Sequence, residues 1–442
     1  MTIDRHKHPI ERVRGTHRIG VPPLFLATTS CTSLAVALIL AGCKFPELPD
    51  IEDAPIDDGA IDGSVSIDSA TDSATDSTPR GPLVSNNQPA DIVYGQPNFT
   101  SNTIRGVTSN GITYPKVAAA GGASIWVTDS DNSRVLAFSS APPGVDPDAT
   151  LVLGRTSFTD ASTVTTPTAS VIKGPFGAAI AGAMLVVSDF GFNRVLIWNG
   201  IPSANGAPAS LVLGQQSFST SASGTSAAEM SSPTHVWTDG TRLVVADPFN
   251  HRVLVWTSFP TANGQAADLV LGQAAFGDSS QPASPTASRV KSPGAIAWDG
   301  ARLYIADGGH NRVLVWNGFP AQSGEAADAV IGQPDFVTQG GEGSGPQRFN
   351  SPGGLLVVDG ALLVSDSGNH RILVFDPAPV ASRTDVSSAT QVLGQPDTLT
   401  TGAQTPSQTS LLSCRGLSLR GDDLFVTDGS NHRVLRFDLA LP

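Results

Sequence analysis

Tyr304-Ile305-Ala306-Asp307-Gly308-Gly309-His310-Asn311-Arg312-Val313-Leu314-Val315-Trp316 consists of two short apolar runs around a polar turn, and the 442-residue chain carries six versions of it. The copies align on an Asp and an Arg five positions apart: Asp129/Arg134, Asp189/Arg194, Asp247/Arg252, Asp307/Arg312, Asp366/Arg371 and Asp428/Arg433. Successive arginines are separated by 60, 58, 60, 59 and 62 residues. A period of this size over most of a chain defines a repeat architecture.

Each unit has further landmarks. A Pro stands 14 residues before the Asp at Pro115, Pro175, Pro233, Pro293 and Pro352, and Cys414 takes that place in the last copy. A turn Gly follows, at Gly122, Gly182, Gly240, Gly300, Gly360 and Gly421, three times as Asp-Gly. Asp-Gly between apolar runs predicts a hairpin with a type I′ turn, in which both central residues need positive φ. The last landmark is an apolar triplet before Gly, as in Leu269-Val270-Leu271-Gly272.

One unit therefore reads as four strands: Ala295–Trp298 (a), Arg302–Asp307 (b), Arg312–Trp316 (c) and Asp328–Gly332 (d). The four-residue b–c loop places Asp and Arg opposite each other across the ladder, where opposite charges are mildly stabilising. Strands c and d do not alternate apolar and polar residues, as a sheet with one wet face would. Both faces of each small sheet must be covered, which radially stacked blades achieve. The chain opens its repeats with a lone strand d, Asp91–Gly95, and ends after a strand c. Pairing these ends closes a ring with no open edge. The expected fold is all-β: a six-bladed β-propeller of four-stranded antiparallel blades, over residues 90–442.

Composition agrees with short strands and turns, with 45 Gly, 33 Pro and 6% aromatic residues. Three cysteines, Cys31, Cys43 and Cys414, cannot supply a disulfide framework across the repeats, so the core comes from packing. The net charge of −13 divides unevenly. Residues 43–89 carry ten acidic and two basic side chains, and residues 90–442 carry 27 and 19. Neither part offers a basic face, which excludes a nucleic-acid ligand.

Residues 1–42 combine a basic start (Arg5, Lys7, Arg12, Arg14, Arg18) with an apolar run ending in Leu40-Ala41-Gly42-Cys43. The pattern is that of a secretory signal peptide. Its end resembles the lipobox of bacterial lipoproteins, which implies lipidation of Cys43, an exported protein and a cell-envelope location, with Lys44 implying the outer membrane. Residues 43–89, acidic and low in large apolar groups, read as a disordered tether.

The copies Asp247-Pro248-Phe249-Asn250-His251-Arg252-Val253, Asp366-Ser367-Gly368-Asn369-His370-Arg371-Ile372 and Asp428-Gly429-Ser430-Asn431-His432-Arg433-Val434 resemble NHL repeats. The unit of about 60 residues is longer than that family's norm, with the excess in the c–d and d–a loops. The repeated Asp/Arg pairs and the turn histidines His251, His310, His370 and His432 read as scaffold, because every blade needs them.

Deviations between copies carry more functional information. Two residues after the Pro position stand Val117, Gly177, His235, Ala295, Gly354 and Gly416; one residue earlier stand Lys116, Phe176, Thr234, Gly294, Gly353 and Arg415. His235 is the polar member of its set. Lys116 and Arg415 lie in first and last blades, which closure makes neighbours, so a cationic patch suited to an anionic group is expected at the channel mouth. The d–a loops, rich in Ser, Thr, Gly and Gln as at Ser219–Ser226 and Gln339–Gln347, are further candidate binding elements. Low aromatic content argues against a surface that stacks on sugars.

These residues point to a monomeric, membrane-anchored binding module for a protein, peptide or glycan ligand, without a cofactor. Resemblance to NHL-like propellers also implies an alternative, a lyase or lactone hydrolase with a divalent metal in its channel. A single His across six inner strands does not supply the ligand set such a site needs. A structural surface protein is a third reading.

Overall fold

The computed structural model describes residues 82–139, 146–340, 343–376, 378 and 388–439; the expected signal peptide, Cys43 and most of the tether lie outside the described residues. Among the described residues the strands form six four-stranded antiparallel sheets. In blade 4 these are Pro293–Trp298, Arg302–Asp307, Arg312–Asn317 and Ala329–Ile331. Blade 6 joins Cys414–Arg420, Asp423–Asp428 and Arg433–Asp438 to the N-terminal strand Ile92–Tyr94. The closing ladder pairs Ile92 with Arg436, Val93 with Leu435 and Tyr94 with Val434. Strand a of each blade packs on strand a of the next, and blade 1 meets blade 6. The chain is a six-bladed β-propeller.

The core has six parts, one between each pair of adjacent blades. This is why strands c and d do not alternate. Val313, Leu314, Val315 and Trp316 are all buried, facing blades on both sides in turn. The indole Nε1 groups of Trp198, Trp256 and Trp316 donate to the carbonyls of Ala207, Gln265 and Glu325 at 3.0–3.1 Å, so their burial strands no donor.

Asp and Arg of the hairpin face each other as expected, in the pairs Asp129/Arg134, Asp189/Arg194, Asp247/Arg252, Asp307/Arg312, Asp366/Arg371 and Asp428/Arg433. The expectation of a mild cross-strand attraction needs correction, because both partners are fully buried in every blade. In blade 4 Arg312 Nε donates to Asp307 Oδ2 at 2.8 Å. Its Nη1 donates to Phe336 O at 2.7 Å, and its Nη2 to Thr286 O and Arg289 O at 2.8 and 2.9 Å. Asp307 Oδ1 accepts the N–H of Lys291, where the chain enters strand a, at 2.7 Å.

Arg134 and Arg194 repeat this arrangement in blades 1 and 2. Arg134 Nε donates to Asp129 Oδ2 at 2.7 Å, and its terminal nitrogens donate to the carbonyls of Phe158, Thr108 and Gly111. Arg194 Nε donates to Asp189 Oδ2 at 2.8 Å, and its terminal nitrogens to those of Phe218, Thr168 and Val171. Each ion pair thus ties two long loops to its hairpin, which repays the desolvation of its charges. The arginines are internal clamps for main-chain carbonyls, beyond their role as partners of the facing Asp.

The turns between Asp and Arg explain the varied residue before each Arg. Ser133, Asn193, His251, Asn311, His370 and His432 all have φ between 51° and 58°. Each side chain accepts a main-chain N–H from the next blade. Ser133 takes that of Gly174, Asn193 of Ser232, His251 of Ser292, Asn311 of Ser351, His370 of Ser413 and His432 of Tyr114. Ser, Asn and His are interchangeable there because the joint needs only an acceptor on a left-handed residue. His310, one position earlier, instead bonds Asp307 through Nδ1 at 2.8 Å.

Two further readings need correction. Positive φ at both turn positions occurs only at Asp359-Gly360 (47° and 78°) among the three Asp-Gly turns. At Asp239-Gly240 and Asp299-Gly300 the loops are longer. There the Asp carboxylate accepts the N–H groups two and three residues on, at 2.6–2.9 Å, which removes the need for a left-handed Asp.

The packed body also begins earlier than the lone strand d. Leu83 and Val84, inside the span read as tether, are buried against blades 5 and 6. Asn87 N–H donates to Val392 O at 3.0 Å and Asn86 Oδ1 accepts from Val392 N at 2.9 Å. Gly206 and Asn205 hold Val152 in the same way, so residues 83–90 are the c–d loop of blade 6 supplied from the N-terminus.

Candidate functional site

Strand a lines the axis, and its first residues form the upper mouth. Thr427 Oγ1 of blade 6 donates to Lys116 O at 2.9 Å, fixing the strand from which Lys116 projects. A Cβ added to Gly416 would lie 2.7 Å from the same oxygen, and one on Gly354 would lie 1.7 Å from Arg415 O. Glycine at these two positions lets adjacent blades approach backbone to backbone, which brings Lys116 and Arg415 to one place.

Both cations lie on aromatic rings. Lys116 Nζ is 3.6 Å from the Tyr114 ring centroid and 5.3 Å from that of Phe176, and the Arg415 guanidinium carbon is 5.8 Å from the latter. Both side chains are half-buried, and among the described residues neither forms an ion pair. Burial, with the charge of Arg415 second, lowers the Lys116 pKa to about 8; Asp131 pulls weakly the other way. Lys116 and Arg415 thus stand together, half-buried and without an ion-pair partner among the described residues.

A recess of about 440 Å³ opens beside this pair, lined by Arg415, Phe176, Phe190, Phe249, Thr234 and the backbone of Gly294, Gly308, Gly309 and Gly353. Phe176 stacks on Phe190 at 6.0 Å, and Phe190 meets Phe249 edge-on at 5.9 Å. Phe249 is 62% exposed. Thr234 is 93% buried by comparison, and its hydroxyl has no partner.

His235 belongs to a different space. It lines a channel of about 290 Å³ farther along the axis, walled mainly by Val117, Ala119, Ile180, Trp237, Trp298, Leu356 and Leu419. Burial alone lowers its pKa to about 4, so the imidazole is neutral, with Nδ1 buried and unpartnered. Among the described residues no three His, Cys, Asp or Glu side chains are grouped as metal ligands. At the far end of strand a, Arg242 sits 4.1 Å from the Phe319 ring, 4.9 Å from Trp298 and 5.7 Å from Trp237, and pairs with Asp239. That cation is satisfied within the protein. The hairpin arginines, Arg134 and Arg194 among them, line neither the recess nor the channel.

Sequence reasoning thus picked out the cationic pair and His235 but missed the aromatic half of the mouth. Tyr114, Phe190 and Phe249 occupy different repeat positions, and only the ring geometry collects them. A comparison of residues after the Asp, where Phe190 and Phe249 stand among Gly and Ser, carries a weak signal of this group.

A family model described as the NHL repeat matches residues 349–375, in blade 5. NHL repeat-containing protein 2 of Gallus gallus is 31% identical over 139 residues, which are 30% of this chain and 18% of that protein's length. Among solved structures, the computationally designed Ika8 protein is 9% identical, covering 77% of this chain and 100% of that one, with a TM-score of 0.36. A nidogen/laminin complex is 16% identical, with coverages of 61% and 77% and a TM-score of 0.36. A catalytically inactive virginiamycin B lyase from Staphylococcus aureus with quinupristin is 9% identical, with coverages of 73% and 79% and a TM-score of 0.36. The chain is thus similar to NHL-repeat proteins over part of its length, and the repeat match falls within one blade of its six-bladed propeller.

Proposed function

We propose that this protein is a lipid-anchored binding module of the bacterial cell envelope, which recognises an anionic group on its ligand at the upper mouth of the propeller. The observation that carries the reading is the pairing of Lys116 with Arg415, two half-buried cations over one ring with no carboxylate partner. The fully buried hairpin arginines, by contrast, are each matched to an Asp. Lys116 and Arg415 share one ring and have no such partner, which supports assigning them to a ligand.

Export and anchoring rest on the basic and apolar N-terminus ending in Leu40-Ala41-Gly42-Cys43, with the acidic segment after Cys43 as the tether. Two or more acyl chains make such an anchor stable, where one binds only marginally. Mass spectrometry of the mature protein tests this part: retention of residues 1–42, or an unlipidated Cys43, refutes it.

Calorimetric titration with phosphate and acetate tests the site. Binding by the intact protein, lost in the Lys116→Ala/Arg415→Ala double variant while the fold is retained, is the expected result. Undiminished anion binding by that variant removes the assignment.

A further inference from the structure

We infer that the ligand of the upper mouth is an aryl anion, a molecule carrying an aromatic ring a short distance from its carboxylate or phosphate, with the ring seated on Phe249 and Phe190. The inference rests on the anion site proposed above and adds the other end of the recess to it.

The recess has two chemically different ends. Arg415, with Lys116 beyond it, makes one end cationic, and the ring of Phe176 lies against both charges. From Phe176 the rings continue outward through Phe190 to Phe249, each about 6 Å from the last. The rest of the lining is small: Gly294, Gly308, Gly309 and Gly353 present no side chains, and Ser292 and Ser351 present short ones beside three prolines.

A flat group can therefore enter the recess, with its charge toward Arg415 and Lys116. Phe249 is the most informative element. It stands in a turn whose role in the repeat needs no large side chain, since the other five copies have Asp131, Gly191, Gly309, Gly368 and Ser430 there. It is nonetheless 62% exposed, with its edge toward Phe190. An aromatic ring placed beside it would gain both apolar burial and ring–ring contact.

Thr234 adds a polar contact on the recess wall. Its hydroxyl is buried and unpartnered, an arrangement that costs free energy unless a ligand or water completes it. The volume of about 440 Å³ suits one ring with a short acidic arm, and lies within the ordinary range for small-ligand pockets.

Titration of the full-length protein with acetate, phenylacetate, 4-phenylbutyrate, phosphate, phenyl phosphate and benzyl alcohol tests the inference, read by calorimetry and by saturation-transfer NMR. One or both phenyl carboxylates should bind roughly three- to tenfold tighter than acetate, and phenyl phosphate should exceed phosphate similarly. Phe249→Ala should remove that gain and leave acetate binding unchanged, because the exposed ring is not part of the core. Equal affinity for aryl and simple anions, or an intact gain in Phe249→Ala, overturns the aryl inference while the anion site stands. Binding of benzyl alcohol as tight as that of phenylacetate, or no binding of any anion, overturns both.

Discussion

The Nδ1 of His432 accepts the main-chain N–H of Tyr114 at 3.2 Å, and so the last blade holds the first through an imidazole that must stay neutral. His251 and His370 do the same work at two other blade boundaries. Burial lowers the pKa of all three below the ordinary value of 6.5. As pH falls, the unfolded chain takes up these protons before the folded one, so the contribution is present above about 6.5 and is lost progressively below it.

His432→Asn should therefore flatten the fall in melting temperature between pH 6.5 and 5, since Asn193 and Asn311 make the same joint without titrating. His432→Ala should lower stability by about 1 kcal/mol at neutral pH, the net worth of one hydrogen bond. Melting curves of both variants against pH check this. An unchanged slope in His432→Asn would refute the joint.

Arg312→Lys should be severe despite conserving charge. The guanidinium bonds Asp307 and three loop carbonyls from three nitrogens, and a single ammonium cannot reach them all. A loss of about 3 kcal/mol or more is expected, the range for breaking a buried pair. Denaturant unfolding measures it, and a loss below 1 kcal/mol would mean that the clamp is dispensable.

Lys116 should couple stability to anion binding. Its pKa of about 8 lies below the value of an unfolded lysine, so the charged side chain costs stability below pH 8, and stability rises with pH above it until the unfolded lysine titrates. Lys116→Met should raise the melting temperature at pH 7 and weaken anion binding together. In the wild type, anion affinity should drop between pH 7 and 9 as Lys116 loses its proton, with Arg415 still charged. A pH-independent affinity would take Lys116 out of the site.

Deleting residues 83–90 should lower the melting temperature by several degrees even though strand Ile92–Tyr94 is kept. The deletion removes Leu83 and Val84 from the blade 5–6 core and frees both polar groups of Val392. Thermal unfolding of the shortened chain beside the intact one gives the answer, and equal stability would show that the segment is merely laid on the surface.

The ring itself was legible because its requirements recur. Asp, Arg and Pro stand at fixed spacing, since every blade needs the same clamp, and the missing strand d at one end declared the closure. The depth of that clamp was not legible. Spacing shows that Arg134 and Arg194 face their Asp partners, but the loop carbonyls they bind lie 23 to 26 residues away and carry no side-chain signature. The N-terminal c–d loop was harder to see, because it lacks an apolar triplet. Its clue is Asn86-Asn87 six residues before Ile92, matching Asn205-Gly206 before Leu211 and Asn263-Gly264 before Leu269.

The site was legible only in part, for a related reason. Lys116 and Arg415 stand at equivalent repeat positions, so comparing copies exposes them. The aromatic wall draws Tyr114, Phe176, Phe190 and Phe249 from unlike positions, and comparison by column cannot assemble it.

The outermost strand of blade 6 is among the first parts of the propeller to be synthesised, and its partner among the last. Asp91 bonds Arg436 across 345 residues of chain. During translation, Ile92–Tyr94 and the residues before it have no blade to join until the final hairpin is made. Blades 1 to 5 can assemble from local contacts as the chain grows, whereas sealing the ring waits for the end of synthesis. A protein stalled or cut short before Arg433 would leave Ile92–Tyr94 without the strand it pairs with.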